Sequence, residues 1–78
     1  MEMKDTIQLM ESDDYKDRFK AEYHQNKNRY DKLHKTIVKA DAGIVQLNNI
    51  RLLREQARIM SEYLYILEVR AETENIEL

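Results

Sequence analysis

Between Asp13 and Ala42, Phe19, Tyr23, Asn26, Tyr30, Leu33, Ile37 and Ala40 recur at alternating steps of four and three. On a helix that turns about 100° per residue these positions share one face, the spacing of a coiled-coil-like seam. Neither proline nor glycine interrupts the run. The pattern predicts one long helix over residues 13–42, about 40–45 Å at 1.5 Å per residue. Ser12, Asp13 and Asp14 carry the side-chain oxygens and negative charge that suit a helix start. Gly43, the only glycine, stands where a left-handed residue ends a helix. Asn26, polar within the seam, is placed either to set helix register as a buried amide or to read a ligand.

Residues 43–48 read as a turn, with Asn48 as an N-cap and Leu47 and Leu52 spaced for a hydrophobic staple. A second long helix follows over residues 49–75. Its apolar positions, Leu52, Leu53, Ala57, Ile59, Met60, Tyr63, Leu64, Ile66, Leu67 and Ala71, cover half the circumference, whereas one partner helix buries a stripe of about 100°. A link this short makes the two helices antiparallel neighbours. The surplus apolar edge, Ile59, Tyr63 and Ile66, is expected to pack against another copy of the chain or against residues 1–12. Within those twelve residues Met3, Ile7 and Met10 are four and three apart, which predicts a short helix or arm. Gln56 and Arg70 fall inside the same arc. A buried arginine is costly unless paired, so Arg70 is expected at the rim or in a ligand or inter-subunit site. The expected fold is all-α: an antiparallel helical hairpin with a short N-terminal helix or arm, one domain over residues 1–78, assembled into a homo-oligomeric bundle.

Composition sharpens this picture in three ways. Seventy-eight residues bury little surface and the chain has no cysteine for disulfides or thiolate metal sites, so oligomerisation is the remaining route to a larger core. No apolar run approaches the roughly twenty residues that span a bilayer, and the acidic start lacks the regions of a signal peptide, so a cytoplasmic protein with no membrane partner is expected. The net charge of −2 conceals a division: one cation against five acids in residues 1–14, eight against three in 15–40, and four against seven in 41–78.

That basic middle segment carries the candidate chemistry. Lys16, Lys20, Lys27 and His34 project within roughly 40° of one another beside Tyr23, by the 100° count. With Tyr30 close by, these cations are suited to hold phosphate and these rings to stack on a base. The plainer reading is a solvated lysine face beside core aromatics. Overall acidity speaks against extended duplex nucleic acid, and a compact anionic ligand fits the small patch better. Asp31 and His34 make only half a metal site, and no metal or cofactor is expected. One glycine cannot build a phosphate loop. Serine occurs only at Ser12 and Ser61, which leaves no nucleophile arrangement and argues against an enzyme. Glu72 and Glu74 read as charges on a frayed tail.

The runs DYKDRFKAEY (14–23), RYDKLHK (29–35), LLREQA (52–57) and MSEYLYILEVRAE (60–72) resemble a family of small helical accessory proteins of tailed phages and prophages, including crAss-like phages. The resemblance implies expression in a bacterial host cytoplasm and antagonism of host defence. Three functions follow as expectations. The first is sequestration of a small anionic nucleotide signal in a homo-oligomer, with Lys16, Lys20, Lys27 and His34 on phosphate, Tyr23 and Tyr30 stacking, and Arg70 as an added clamp. The second is inhibition of a host defence protein, as an anti-CRISPR does, through the apolar helix face. The third is a purely architectural helical oligomer.

Overall fold

The computed structural model describes residues 13–78 and consists there of two α-helices, α1 (Asp13–Asp41) and α2 (Ile50–Thr73). They run antiparallel, as the short link requires. Tyr15 meets Glu74 at one end and Asp41 meets Arg54 beside the connection at the other. The all-α hairpin expected from the two apolar seams is therefore the fold. The arm with Met3, Ile7 and Met10, and the helix start assigned to Ser12, lie outside the described residues. Neither described helix is long and apolar enough to cross a membrane.

The molecule is a single layer, 52 × 23 × 17 Å. Its buried cluster comprises Phe19 and Tyr23 from α1, Leu64, Leu67 and Ala71 from α2, and Ile76 beyond α2, with Tyr15 and Tyr30 packed at its edge. Large rings on α1 stand across from leucines and a small alanine on α2 at that end. Towards the connection burial is thinner. Ile37 is buried, but Leu33, Leu53, Ala57 and Met60 are only half-buried.

Both helices end in the same way. Gly43, at φ 78°, donates its amide to Ala40 O (3.0 Å), and Ile44 donates to Lys39 O (2.9 Å). This pair of bonds satisfies carbonyls that the helix end leaves free. Asn75, at φ 59°, repeats the arrangement, with Asn75 N to Glu72 O (3.4 Å) and Ile76 N to Ala71 O (2.8 Å). The left-handed turn at Asn75 folds Ile76 back beside Ala71, where both are buried. The segment expected to fray is therefore a cap on the core. At Gly43 an added Cβ would meet nothing within 4 Å. Gly43→Ala should then cost only the left-handed strain, about 1 kcal/mol, or roughly 4–8 °C in Tm, read by circular dichroism. A shift several times larger would mean that the turn reorganises.

The start of α2 differs in detail from expectation. Asn49, not Asn48, occupies the N-cap position, and no side-chain cap bond is made. Leu52 is 71% exposed, so it does not close a staple with Leu47. Leu52 points instead to the side of the hairpin considered below.

Candidate anion-binding face

A two-helix layer has two lateral sides, and cross-helix bonds mark which residues share each. On one side Tyr63 Oη donates to Glu22 Oε1 (2.9 Å), and Tyr15 Oη donates to Glu74 Oε1 (2.6 Å) while accepting from Arg70 Nη2 (2.8 Å). On the other side Tyr23 Oη donates to Glu68 Oε2 (2.7 Å). Counting 100° per residue from the buried Phe19, Lys16, Lys20, Lys27 and His34 all fall on the Glu68 side. By that count the four share one side of α1.

Along that side the groups form two clusters. Lys16 and Lys20 border a shallow recess closed by Asn75, Ile76 and Glu77, and neither forms an ion pair among the described residues. About 10–16 Å further along the helix, Lys27 Nζ bonds Asp31 Oδ1 (2.7 Å) and lies 5.7 Å from the centroid of the Tyr30 ring. Tyr30 in turn stacks on His34, with centroids 5.8 Å apart and planes inclined by 18°. The Asp31 hydrogen bond holds the Lys27 ammonium above its ordinary pKa, so it stays a cation throughout the neutral range. Two half-buried lysines and a lysine–tyrosine–histidine ladder make a surface on which an anion with a flat ring can be bound by charge and by stacking.

A family model described as Sequestin matches residues 13–73. The chain belongs to the Sequestin family. No curated protein and no solved structure matches it. The Sequestin match spans both helices and the turn between them, and it contains every residue of the basic stripe, Lys16, Lys20, Lys27 and His34, together with Tyr30.

Two residues assigned to ligand contact have other neighbours in this Sequestin hairpin. Tyr23 is 8% exposed, with its ring in the core, so it offers no free face for stacking; its hydroxyl instead fixes Glu68 on the basic side. Arg70 lies on the opposite side from the stripe. Its Nε bonds Glu74 Oε2 (3.2 Å), and its guanidinium carbon is 5.0 Å from the centroid of Phe19, so it closes the end of the core rather than joining the lysines. Asn26 likewise makes no cross-helix bond among the described residues: its Nδ2 donates back to Glu22 O (2.8 Å). Two residues that the pattern did not single out matter to the basic side. Glu68 stands beside the stripe as its acidic counterweight. Asn75 shapes the recess, and its signal in the sequence was an asparagine followed by isoleucine just past a helix end.

The three hydroxyl–carboxylate bonds also set an alkaline limit. Burial, and then the bond to Glu68, pushes the Tyr23 hydroxyl up to about 12 from 10.0. Burial followed by Glu74 raises Tyr15, and the bond to Glu22 followed by burial raises Tyr63. A pKa raised in the folded state means that the fold holds the proton more tightly than the unfolded chain. The resulting stability is complete below pH 10 and is lost as pH rises through 12. Urea midpoints should therefore fall between pH 10 and 12, and Tyr23→Phe should flatten that fall. An unchanged slope in Tyr23→Phe would contradict the assignment.

Proposed function

We propose that this Sequestin-family chain is a phage-encoded binding protein that takes up a small anionic nucleotide signal of host defence and so lowers its free concentration. The observation that carries the reading is the concentration of Lys16, Lys20 and Lys27, with His34, on one side of α1 beside the half-buried Tyr30 ring. The family name, which speaks of sequestration, agrees with it. In this reading Lys27 and His34 hold phosphate, Tyr30 stacks on the base, and Lys16 and Lys20 take a second phosphate near the Asn75 turn. Asp31 yields Lys27 to the ligand. A ligand with two phosphate groups about 10 Å or more apart spans both clusters, whereas a diphosphate bridging two sugars engages one cluster with its adjacent phosphates and reaches the other only with a sugar or base.

The test is native mass spectrometry of protein purified from cells in which a nucleotide-signalling defence is active, followed by calorimetry with a panel of cyclic oligonucleotides and ADP-ribose derivatives at moderate salt. A co-purifying mass of a few hundred daltons with saturable binding is the expected result. An empty protein that binds nothing in the panel sinks the proposal. A second reading, inhibition of a defence protein through the apolar side of α2, is favoured by the exposure of Leu52, Ile59 and Ile66. It predicts a stable complex with a defence effector that survives charge reversal on the stripe.

A further inference from the structure

Three tyrosine hydroxyls donate to glutamates across the two helices, and the three carboxylates differ in what else they hold. Glu74 accepts from Tyr15 and turns its second oxygen to Arg70 Nε (3.2 Å). Glu22 Oε1 accepts from Tyr63 and lies 3.4 Å from Asn26 Nδ2. Glu68 accepts from Tyr23 through Oε2 (2.7 Å), but among the described residues its Oε1 has no hydrogen-bond partner and its charge no ion-pair partner. The residue is exposed.

That bare acceptor stands in the middle of the basic side. Tyr23 lies about 4.5 Å past Lys20 and about 6 Å before Lys27 along α1, and all three side chains lean the same way along the helix. Its hydroxyl therefore holds the Glu68 carboxylate between the recess bordered by Lys16 and Lys20 and the ladder of Lys27, Tyr30 and His34. The Asp31 hydrogen bond does most to raise the Lys27 pKa, and the charge of Glu68 adds to it, as a near neighbour's does. A carboxylate in this place weakens the pull of the lysines on phosphate, so a surface for bare phosphate would be better without it.

We propose, resting on the nucleotide reading of this side, that Glu68 is its specificity residue: it accepts a hydrogen bond from a ribose hydroxyl and so selects ribonucleotides over deoxyribonucleotides. Position decides which donor it meets. With phosphate at one cluster and the base on Tyr30, the part of a nucleotide that lies between is the sugar. An ionised carboxylate only accepts, so it favours a hydroxyl and repels a phosphate. A ribose O–H on Oε1 makes a charge-assisted bond, the same chemistry by which an acidic side chain reads the ribose of a dinucleotide. Deoxyribose presents C–H there and leaves the carboxylate facing an anion uncompensated. The Tyr23 ring is anchored in the core, so Glu68 is held in place before the ligand arrives and less ordering is needed on binding.

The test is calorimetry at one salt concentration with cyclic diadenylate and cyclic triadenylate, each against the same ring built from 2′-deoxyribose. The chain should bind the ribose rings at least about tenfold more tightly. Glu68→Ala should bring the ratio close to one, largely by strengthening the deoxyribose rings, because removing a negative charge favours any anion. A merely structural glutamate would not produce that gain. Tyr23→Phe, which frees Glu68 without removing it, should lose part of the ratio. Helicity should be unchanged in Glu68→Ala, since the side chain is exposed. Equal affinity for ribose and deoxyribose rings, or a ratio that survives Glu68→Ala, would overturn the proposal and leave nucleotide binding standing. Discrimination that follows the base instead, seen as weaker binding of cyclic inosinate rings that lack the exocyclic amine and lost in Glu68→Ala, would overturn the ribose assignment. Failure of both ribose rings to bind would also overturn it, and only silence across the whole nucleotide panel would take the nucleotide reading with it.

Discussion

Leu67→Ala should leave most of the hairpin unfolded at room temperature. Leu67 is 2% exposed and lies in the six-residue buried cluster at the Tyr15 end of the molecule. Removing three buried carbons costs the lost transfer energy plus a cavity term, about 2–5 kcal/mol for leucine to alanine. Seventy-eight residues in a single helix layer hold only a few kcal/mol in total, so this loss is comparable to the whole. The measurement is helical ellipticity against temperature. A Tm lowered by tens of degrees, or no cooperative transition, is expected. Tyr65→Ala provides the contrast. That ring is 67% exposed and off both seams, so its loss should move stability by about 0.5 kcal/mol at most. Equal effects from the two substitutions would show that the cluster around Leu67 does not hold the fold.

Lys20→Glu combined with Lys27→Glu should lower affinity for the anionic nucleotide about a hundredfold or more. Each lysine gives one charge-assisted contact, and a contact of that kind contributes about 1.5–3 kcal/mol, where 1.4 kcal/mol is tenfold. Reversal adds repulsion to the loss. Arg18→Glu, with the same change of charge on the far flank of α1, should do little beyond a salt-dependent effect. Asp31→Asn is the more telling variant. Asp31 holds Lys27 at 2.7 Å, and freeing the ammonium should strengthen nucleotide binding by up to about tenfold. Calorimetry reads all three. Weaker binding in Asp31→Asn would mean that Asp31 positions Lys27 for the ligand rather than competing with it, and an unchanged affinity in the double lysine variant would remove the stripe from the site.

The hairpin itself could be read from the chain because its determinants are periodic and local. Phe19, Tyr23 and Ile37 fall on one helical face whatever the partner, a short link leaves two long helices no option but to lie antiparallel, and Gly43 marks a left-handed end through backbone sterics alone. The side on which Lys16, Lys20, Lys27 and His34 lie was legible for the same reason, since angular position on a helix is set by residue count. What the count could not supply was depth and distance. It placed Tyr23 beside the lysines without showing that its ring is in the core, and it allowed Arg70 a rim position, where the structure has it, without naming Tyr15, Glu74 and Phe19 as its neighbours there. Those facts depend on residues some 45 to 59 positions apart in the chain meeting across the helices. The return of Ile76 to the core was hidden for a related reason. It turns on one asparagine adopting φ 59°, a local conformation closed by the backbone bonds to Glu72 and Ala71 and accompanied by burial of the next side chain beside Ala71.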